Sequence, residues 1–526
     1  MEMTITQELS LINRLINDGE FEKAYIVSLS VYKECKSSNK FLILFNIASF
    51  FVDIGHMGNN KDASQLALKI LEENEEKFLS LDEIDENIFY YNFGNAKSNF
   101  IDDFKSLDIS NNLSFNDIED LIELKTYYWK AIKYCQEQNM TVPPEYIVNL
   151  GNSLKRQFRL VEALKNYDNV NKLELDIPQS WINRSETLDL LNQMSYTYTV
   201  SMLKEIKLGY ENSILSNEIP KVWVDFYKNM IDKISMQIEE VLEREQISDE
   251  EHDKTNLQLE YSSLSQQRKF YLTHHLSLSE HGLYCKCNGS ARDNLTIPTL
   301  TGLSGDYVIP MEFVLNRLKS EFIFARQLYY DFLHNNNDEL IKYESCFSEL
   351  HNDDILNIDI EKIRTSFRVC FGVLDKIGVA VCDLYELHPQ NNIVYFQNFW
   401  QLDKDNRREK FEEVKTAGLL ALYSIATDLN DRKNGELSFF KAWRNDLEHK
   451  FVVVHKNGTV IDNYSTYSFF DNMLFIQESE LIENLKILLQ LTRSAIFSFV
   501  YMVREDALKN EEQGIYGIRR IEKQNS

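Results

Sequence analysis

The chain has 526 residues, too many for one ordinary core, so two or more domains are expected. Its 82 acidic and 56 basic side chains leave a formal net charge of −26, which excludes a nonspecific nucleic-acid coat protein, because backbone binding needs massed cations, but does not exclude a local basic site. Seven cysteines scattered over this length exclude a disulfide scaffold and suit a reducing cytoplasm.

Only 7 prolines and 17 glycines predict long helices with few turns. Met1-Glu2-Met3-Thr4 lacks the basic start and apolar core of a signal peptide. The apolar runs near 417–426 and 495–503 are too short to span a bilayer, so a cytoplasmic location without a membrane partner is expected.

Residues 1 to about 240 read as paired helices. Leu11, Leu15, Phe21, Ala24, Tyr25 and Val27 fit an amphipathic pair turning at Asp18-Gly19. Ala48 and Gly55 before Ala63 and Ala67, Tyr91-Asn92-Phe93-Gly94, and Val148 to Gly151 before Ala163 and Tyr167 repeat one theme. Small residues let two helices approach and an aromatic fills the next groove, as in tetratricopeptide repeats. The period is irregular, because the step from Gly94 to Gly151 exceeds the repeat of roughly 34 residues. The expectation is a degenerate solenoid with insertions; a non-repeating helical domain is the other reading.

Pro143-Pro144, Pro178 and Pro220 mark helix starts. A long helix over 221–244 carries Val222, Phe226, Met230, Ile234 and Ile238 on one stripe, and 248–253 reads as an acidic turn. Helix resumes over 254–284. The domains expected are therefore a helical arm over 1–287 (repeats to about 240, connecting helices after it), a connector over 288–310, a helical bundle over 311–512, and a polar tail over 513–526. Gly and Pro crowd the connector, but Leu295, Ile297, Leu300 and Leu303 require it to pack.

The first bundle helix is placed at 311–347. Around 360–388, Ile363, Phe367, Cys370, Leu374, Ile377, Val381 and Leu384 alternate gaps of four and three, a spacing that serves a bundle core or a dimer seam. Asp375 beside this seam reads as a structural partner rather than a catalytic one. A third helix follows at 408–429. Asn434 is the expected N-cap of the next helix, with Glu436 in its first turn. Phe451 to His455 reads as a strand, and Asn457-Gly458 as the turn of a hairpin over about 451–463. The final helix, 478–511, buries Leu481, Leu485, Leu488, Thr492, Ala495, Phe499 and Val503.

The bundle holds the stretch with most chemistry, Arg444-Asn445-Asp446-Leu447-Glu448-His449. Each helical residue advances about 100°, so Asn445 and His449 are neighbours one turn apart, as are Arg444 and Glu448. Phe440, Trp443, Leu447 and Phe451 form an apolar stripe to anchor the helix. Chemistry on a phosphodiester needs a cation, an orienting donor and a group that moves protons near neutral pH. The structural alternative is caps, ion pairs and solvated surface, with Arg444–Glu448 an ordinary i,i+4 pair. Asp446, Glu448 and Lys450 are candidates for support. Arg407, Arg408, Lys410, Arg432, Lys433 and Lys441 are candidates to line an RNA path, or are solvated mixed-charge faces.

His274, His275, His281, Cys285 and Cys287 lie close together in the chain. Cys-x-Cys is an unusual zinc knuckle and no second pair follows at finger spacing, so no metal is expected; the alternative reading is a packed edge with solvated histidines. Walker, Rossmann, Gly-x-Ser-x-Gly and His-Glu-x-x-His patterns are absent, and no cofactor is expected.

The motif at 444–449 resembles the signature of the HEPN superfamily (higher eukaryotes and prokaryotes nucleotide-binding). Ser366 to Gly378, with its Asp375-Lys376-Ile377 step, resembles the second helix of one bacterial branch, and Leu491 to Phe497 its last helix. The resemblance covers about 311–512, and that branch commonly carries tetratricopeptide-like helices upstream. It implies an all-α fold of solenoid and four- or five-helix bundle. It further implies a metal-independent endoribonuclease leaving 2′,3′-cyclic phosphate and 5′-hydroxyl ends. His449 would move the proton, Arg444 offset phosphorane charge and Asn445 position phosphate or imidazole. The implied setting is phage defence or toxin–antitoxin conflict, with a homodimer through the bundle and a protein partner or phage-derived trigger on the arm. A non-catalytic HEPN module that binds nucleotides or proteins, or only dimerises, is the alternative.

Overall fold

The computed structural model describes residues 4–38, 40–104, 113–196, 199–245, 254–298, 303, 308–334, 354–355, 358–390, 393–404, 406–456 and 473–512. It is all-α apart from one small sheet, and packs as two compact units, 1–157 and 158–526.

The first unit is a row of antiparallel helices, each packed on the next: α1 (Ile5–Asn17), α2 (Phe21–Ser38), α3 (Phe41–Met57), α4 (Lys61–Leu79), α5 (Glu86–Phe104), α6 (Phe115–Glu137) and α7 (Pro144–Arg156). Thr4 opens it with a reciprocal cap, accepting from the Gln7 N–H while the Gln7 side chain accepts from the Thr4 N–H at 2.9 Å. Gly19 turns α1 into α2 at φ +74°. The small residues of the repeat theme sit where helices touch. A β-carbon on Gly55 would lie 2.4 Å from the Ser64 hydroxyl, and one on Gly94 2.7 Å from the Tyr128 ring. Phe45, Phe78 and Phe89 fill the core between them, Phe45 and Phe78 edge to face and Phe89 tilted against both.

The second unit opens with α8 (Leu160–Asn171), α9 (Pro178–Ser195), α10 (Val200–Ser213) and α11 (Lys221–Glu245). Pro178 sits in the first turn of α9, and α11 begins directly after Pro220, as expected of helix-start prolines. The α11 stripe is only half a core. Ile234 and Ile238 are buried, whereas Val222 is 80% and Phe226 49% exposed, because Tyr227 rather than Phe226 faces α10, where it stacks on Tyr210. The turn expected at 248–253 lies outside the described residues.

After α12 (Lys254–Ser263) and α13 (Gln266–Thr273), residues 274–297 form a strap with little regular structure. Leu295 and Ile297 are buried, as the apolar content of the connector required. Residues 158–287, grouped with the arm on periodicity, share the compact unit of the C-terminal helices.

The bundle consists of α14 (Val308–His334), α15 (Ile358–Tyr385), α16 (Arg407–Glu413), α17 (Ala417–Asp428), α18 (Phe439–His449) and α19 (Glu478–Glu512). Six of the seven seam residues of α15, from Ile363 to Val381, are buried against this unit's own helices; Leu384 is half-buried. The seam is therefore bundle core. The helix expected over 408–429 is broken at 414–416, where Thr416 caps Leu419 N–H at 3.1 Å and Glu505 accepts from Ala417 N–H at 2.9 Å. Gly418 lies directly against α19: a β-carbon there would come within 2.4 Å of the Met502 amide and the Ser498 carbonyl. α19 buries its expected face completely, from Leu481 to Val503. One window of α19 is long and apolar enough to cross a membrane, but 89% of it is buried within the protein, as in a core helix.

A strand forms at 451, but not as a hairpin. β2 (Phe451–His455) lies between β1 (Asp354–Ile355), antiparallel, and β3 (Met473–Gln477), parallel. Both its edges are taken by partners distant in sequence, and Asn457-Gly458 lies outside the described residues.

Candidate active site on the motif helix

The motif helix α18 follows a tight turn around the end of α17. Asn434 adopts φ +52° and Gly435 has no room for a β-carbon, which would fall 2.1 Å from the Thr427 carbonyl oxygen. Leu437 N–H donates to Asp428 O at 2.8 Å and Gly435 N–H to Asn430 O at 3.0 Å. Asn434 therefore closes this turn instead of capping α18. Ser438 occupies the cap position and makes no side-chain cap bond.

One face of α18 is anchored. Phe440 and Leu447 are buried, and Phe367 of α15 packs its ring 6.2 Å from Phe440 and 5.9 Å from Trp443. Two arginines of α15 hold the end of the helix. Arg364 Nε donates to the Leu447 carbonyl at 2.8 Å, satisfying one orphan acceptor of the last turn, and Arg368 Nε lies 3.2 Å from Glu448 Oε1. Sequence reasoning missed both, although each follows a seam residue, Ile363 and Phe367, along one flank of α15.

Arg444 is half-buried. Its guanidinium lies 5.4 Å from the centre of the Phe371 ring and 3.6 Å from Asp375 Oδ2, while Asp375 Oδ1 accepts from Phe396 N–H at 2.9 Å. Burial raises the Asp375 carboxyl, opposed by the Phe396 amide, Arg444 and Lys376. Asp375 thus has the structural role expected of it. The i,i+4 pair Arg444–Glu448 is not formed, because α15 supplies each with another partner. Asp446 and Lys450 pair with each other at 3.0 Å.

Asn445 and His449 are different. Both are exposed, one turn apart on the same face, and neither side chain makes a hydrogen bond or ion pair among the described residues. The arrangement presents an amide and an imidazole outward, beside a guanidinium aimed by Asp375 and Phe371.

The cations proposed for an RNA path divide. Arg407 is occupied: Nε donates to Trp400 O at 2.8 Å, and Nη2 to Leu387 O at 2.6 Å and Phe399 O at 2.7 Å. A cation that ties down three backbone carbonyls is structural. Arg407→Ala should therefore lower stability by at least about 2 kcal/mol with RNA affinity of the folded fraction unchanged, which denaturant melts and filter binding would check together. Lys433 bonds the Tyr423 hydroxyl, and Lys441 pairs with Asp431 at 2.8 Å. Lys410 and Arg432 are exposed, and Arg408 is half-buried.

Of the histidines and cysteines near 280, three converge: the ligating atoms of His281, Cys285 and Cys287 all lie within 4.8 Å of one another. His274 instead packs on Phe270, ring centres 4.2 Å apart. Burial, aided by Arg493, pushes His275 down to about 2, so it stays neutral.

Residues 303–506 match the model of a protein family described as LA2681-like HEPN, which supports HEPN superfamily membership for that segment. The matched stretch contains α15, α18, the motif and every partner just described for Arg444. No curated protein matches the chain.

Proposed function

We propose that this HEPN domain is a metal-independent endoribonuclease. The observation that supports the reading best is the pair Asn445 and His449, exposed and without partners in the described residues on a helix whose other face is firmly held. Caps and ion pairs, the structural alternative, would have used them within the chain.

The chemistry follows from the groups. His449 takes the proton of a ribose 2′-hydroxyl. The oxygen attacks the adjacent phosphorus, forming the O2′–P bond as the P–O5′ bond breaks. The departing O5′ receives a proton from the imidazole of a second copy of the motif, leaving a 2′,3′-cyclic phosphate and a 5′-hydroxyl. Arg444 offsets the charge on the phosphorane oxygens, and Asn445 donates to one of them. Lys410 and Arg432 remain as cations for flanking phosphates.

One imidazole cannot stand at both ends of an in-line displacement, so the site is completed by a second chain across a two-fold axis. Phe439 and Phe451, 39% and 64% exposed at either end of α18, supply apolar surface for that contact. Light scattering over a dilution series should give a dimer, and a monomer that still cuts RNA would remove the shared site. Co-expressed Arg444→Ala and His449→Ala chains should stay inactive although they form the dimer, because the mixed dimer retains a single imidazole. Activity regained by that mixed dimer would show that one imidazole suffices and would remove the shared two-imidazole site.

The rival reading is a non-catalytic module that binds nucleotides or proteins, and Asp375 favours it by partly neutralising Arg444. Incubating the purified protein with total cellular RNA in EDTA, beside His449→Ala, decides between them. New 5′-hydroxyl ends from the wild type alone support the nuclease; intact RNA with both proteins supports the module. A role as a toxin or phage-defence effector, with the helical arm receiving a partner or phage-derived trigger, belongs to the same proposal.

A further inference from the structure

Four of the cysteines behave as small apolar residues: Cys35, Cys135, Cys370 and Cys382 are buried in helix cores. Cys285 and Cys287 do not. They sit in the loop of the strap between Ser279 and Asp293, where they meet the His281 imidazole. Cys287 Sγ lies 3.9 Å from both ring nitrogens of His281. Two sulfurs and a nitrogen around one tetrahedral zinc stand about 3.5–3.8 Å apart, given bonds of about 2.3 Å to sulfur and 2.0 Å to nitrogen. The three ligating atoms, all within 4.8 Å of one another, are therefore within about an ångström of ligand spacing.

Contacts independent of the cluster shape this loop. Ser290 Oγ donates to Cys287 O at 2.6 Å, and Ser277 Oγ donates to Ser290 O at 2.7 Å. Asn288 N–H donates to Glu260 at 2.9 Å, and Tyr284 shares a hydrogen with Thr199 at 2.9 Å. A β-carbon on Gly282 would fall 2.9 Å from Ser290 O, so the two sides of the loop close on each other there. The donors are held before any ion arrives, which limits the ordering cost of binding.

We propose that His281, Cys285 and Cys287 hold one zinc ion, with water in the fourth position. Thiolate and imidazole select zinc over calcium or magnesium, which take oxygen donors. Among the described residues no fourth histidine, cysteine or carboxylate joins the three. Loading releases the protons of the two thiols. The ion pins the strap's loop and is separate from the motif helix, so it takes no part in the phosphodiester chemistry above and stands or falls independently of it.

The full chain, purified without chelator from zinc-supplemented cells, should carry about one zinc per chain by elemental analysis. Cys287→Ser and His281→Ala should each reduce this to background, while Lys286→Ala, a neighbour that offers no ligand here, should keep it. Protein freed of metal and titrated with cobalt should develop the near-ultraviolet thiolate-to-cobalt band, a readout that needs no variant to fold. Zinc-free wild type without that band, a Cys285–Cys287 disulfide, or zinc retained by the folded variants would overturn the site.

Discussion

His449→Ala should lower the rate of RNA cleavage at least about 100-fold, the lower end of what a positioned proton-transfer group contributes. It should leave the melting temperature within about a degree, because the side chain is exposed and without a partner in the described residues. Arg444→Ala should lose about 100- to 1,000-fold, as expected for removal of a charge stabiliser, with a small loss of stability as Asp375 and Phe371 lose their neighbour. Asn445→Ala should lose only about tenfold, the worth of one hydrogen bond to a charged group. Gel assays on labelled RNA with end-group analysis give all three numbers. Equal cleavage by wild type and His449→Ala would end the assignment of that imidazole, whatever the other two show.

The second large effect is on stability. Arg504 of α19 is 1% exposed, and all five of its N–H groups find acceptors. Nε donates to Ile297 O at 2.9 Å; Nη1 to Ser195 O at 2.9 Å and Glu280 Oε1 at 2.7 Å; Nη2 to Glu280 Oε2 at 3.1 Å and Thr296 O at 2.5 Å. Arg504→Met keeps much of the volume but leaves Glu280 charged and unpaired beside three bare carbonyls. The cost should be about 3–5 kcal/mol, a fall in melting temperature on the order of 10 °C. Adding Glu280→Gln should recover part of it, since the stranded charge is then gone. Arg317→Ala, which breaks a pair whose arginine is 70% exposed, should shift stability by less than about 0.5 kcal/mol. A melting temperature for Arg504→Met as close to wild type as that of Arg317→Ala would show that α19 does not depend on the strap.

Periodicity carried most of the fold. The α15 seam and the α19 face are long apolar rows on single helices, and the paired helices of the first unit announce themselves through small residues at contacts such as Gly55 and Gly94. The motif helix was legible for the same reason, since Phe440 and Leu447 repeat on one side. What local pattern could not show was anything decided by residues far apart. β2 looks like half a hairpin until Asp354–Ile355 and Met473–Gln477 take its two edges. Arg407 is one more cation in a basic stretch until Leu387, Phe399 and Trp400 turn their carbonyls toward it. Asn434 has the composition of a cap, but the missing β-carbon of Gly435 lets the chain fold back on α17 first. The convergence of His281, Cys285 and Cys287 was not legible in their spacing, because it depends on loop closure at Gly282 and Ser290.

Arg326, Arg493 and Arg504 all reach out of the bundle to the strap: Arg326 to Leu276 O and Asp293, Arg493 to Ser277 O, and Arg504 to Glu280, Thr296 and Ile297. Arg159 and Glu162 add links from α8 to Asp428 and Ser494. A recombination event that moved residues 303–506 alone into another protein would transplant the motif with these three buried arginines stripped of their strap acceptors. The recipient would inherit chemistry without a scaffold able to stand. The heritable module is therefore larger than the stretch that carries the signature, reaching back at least to α8.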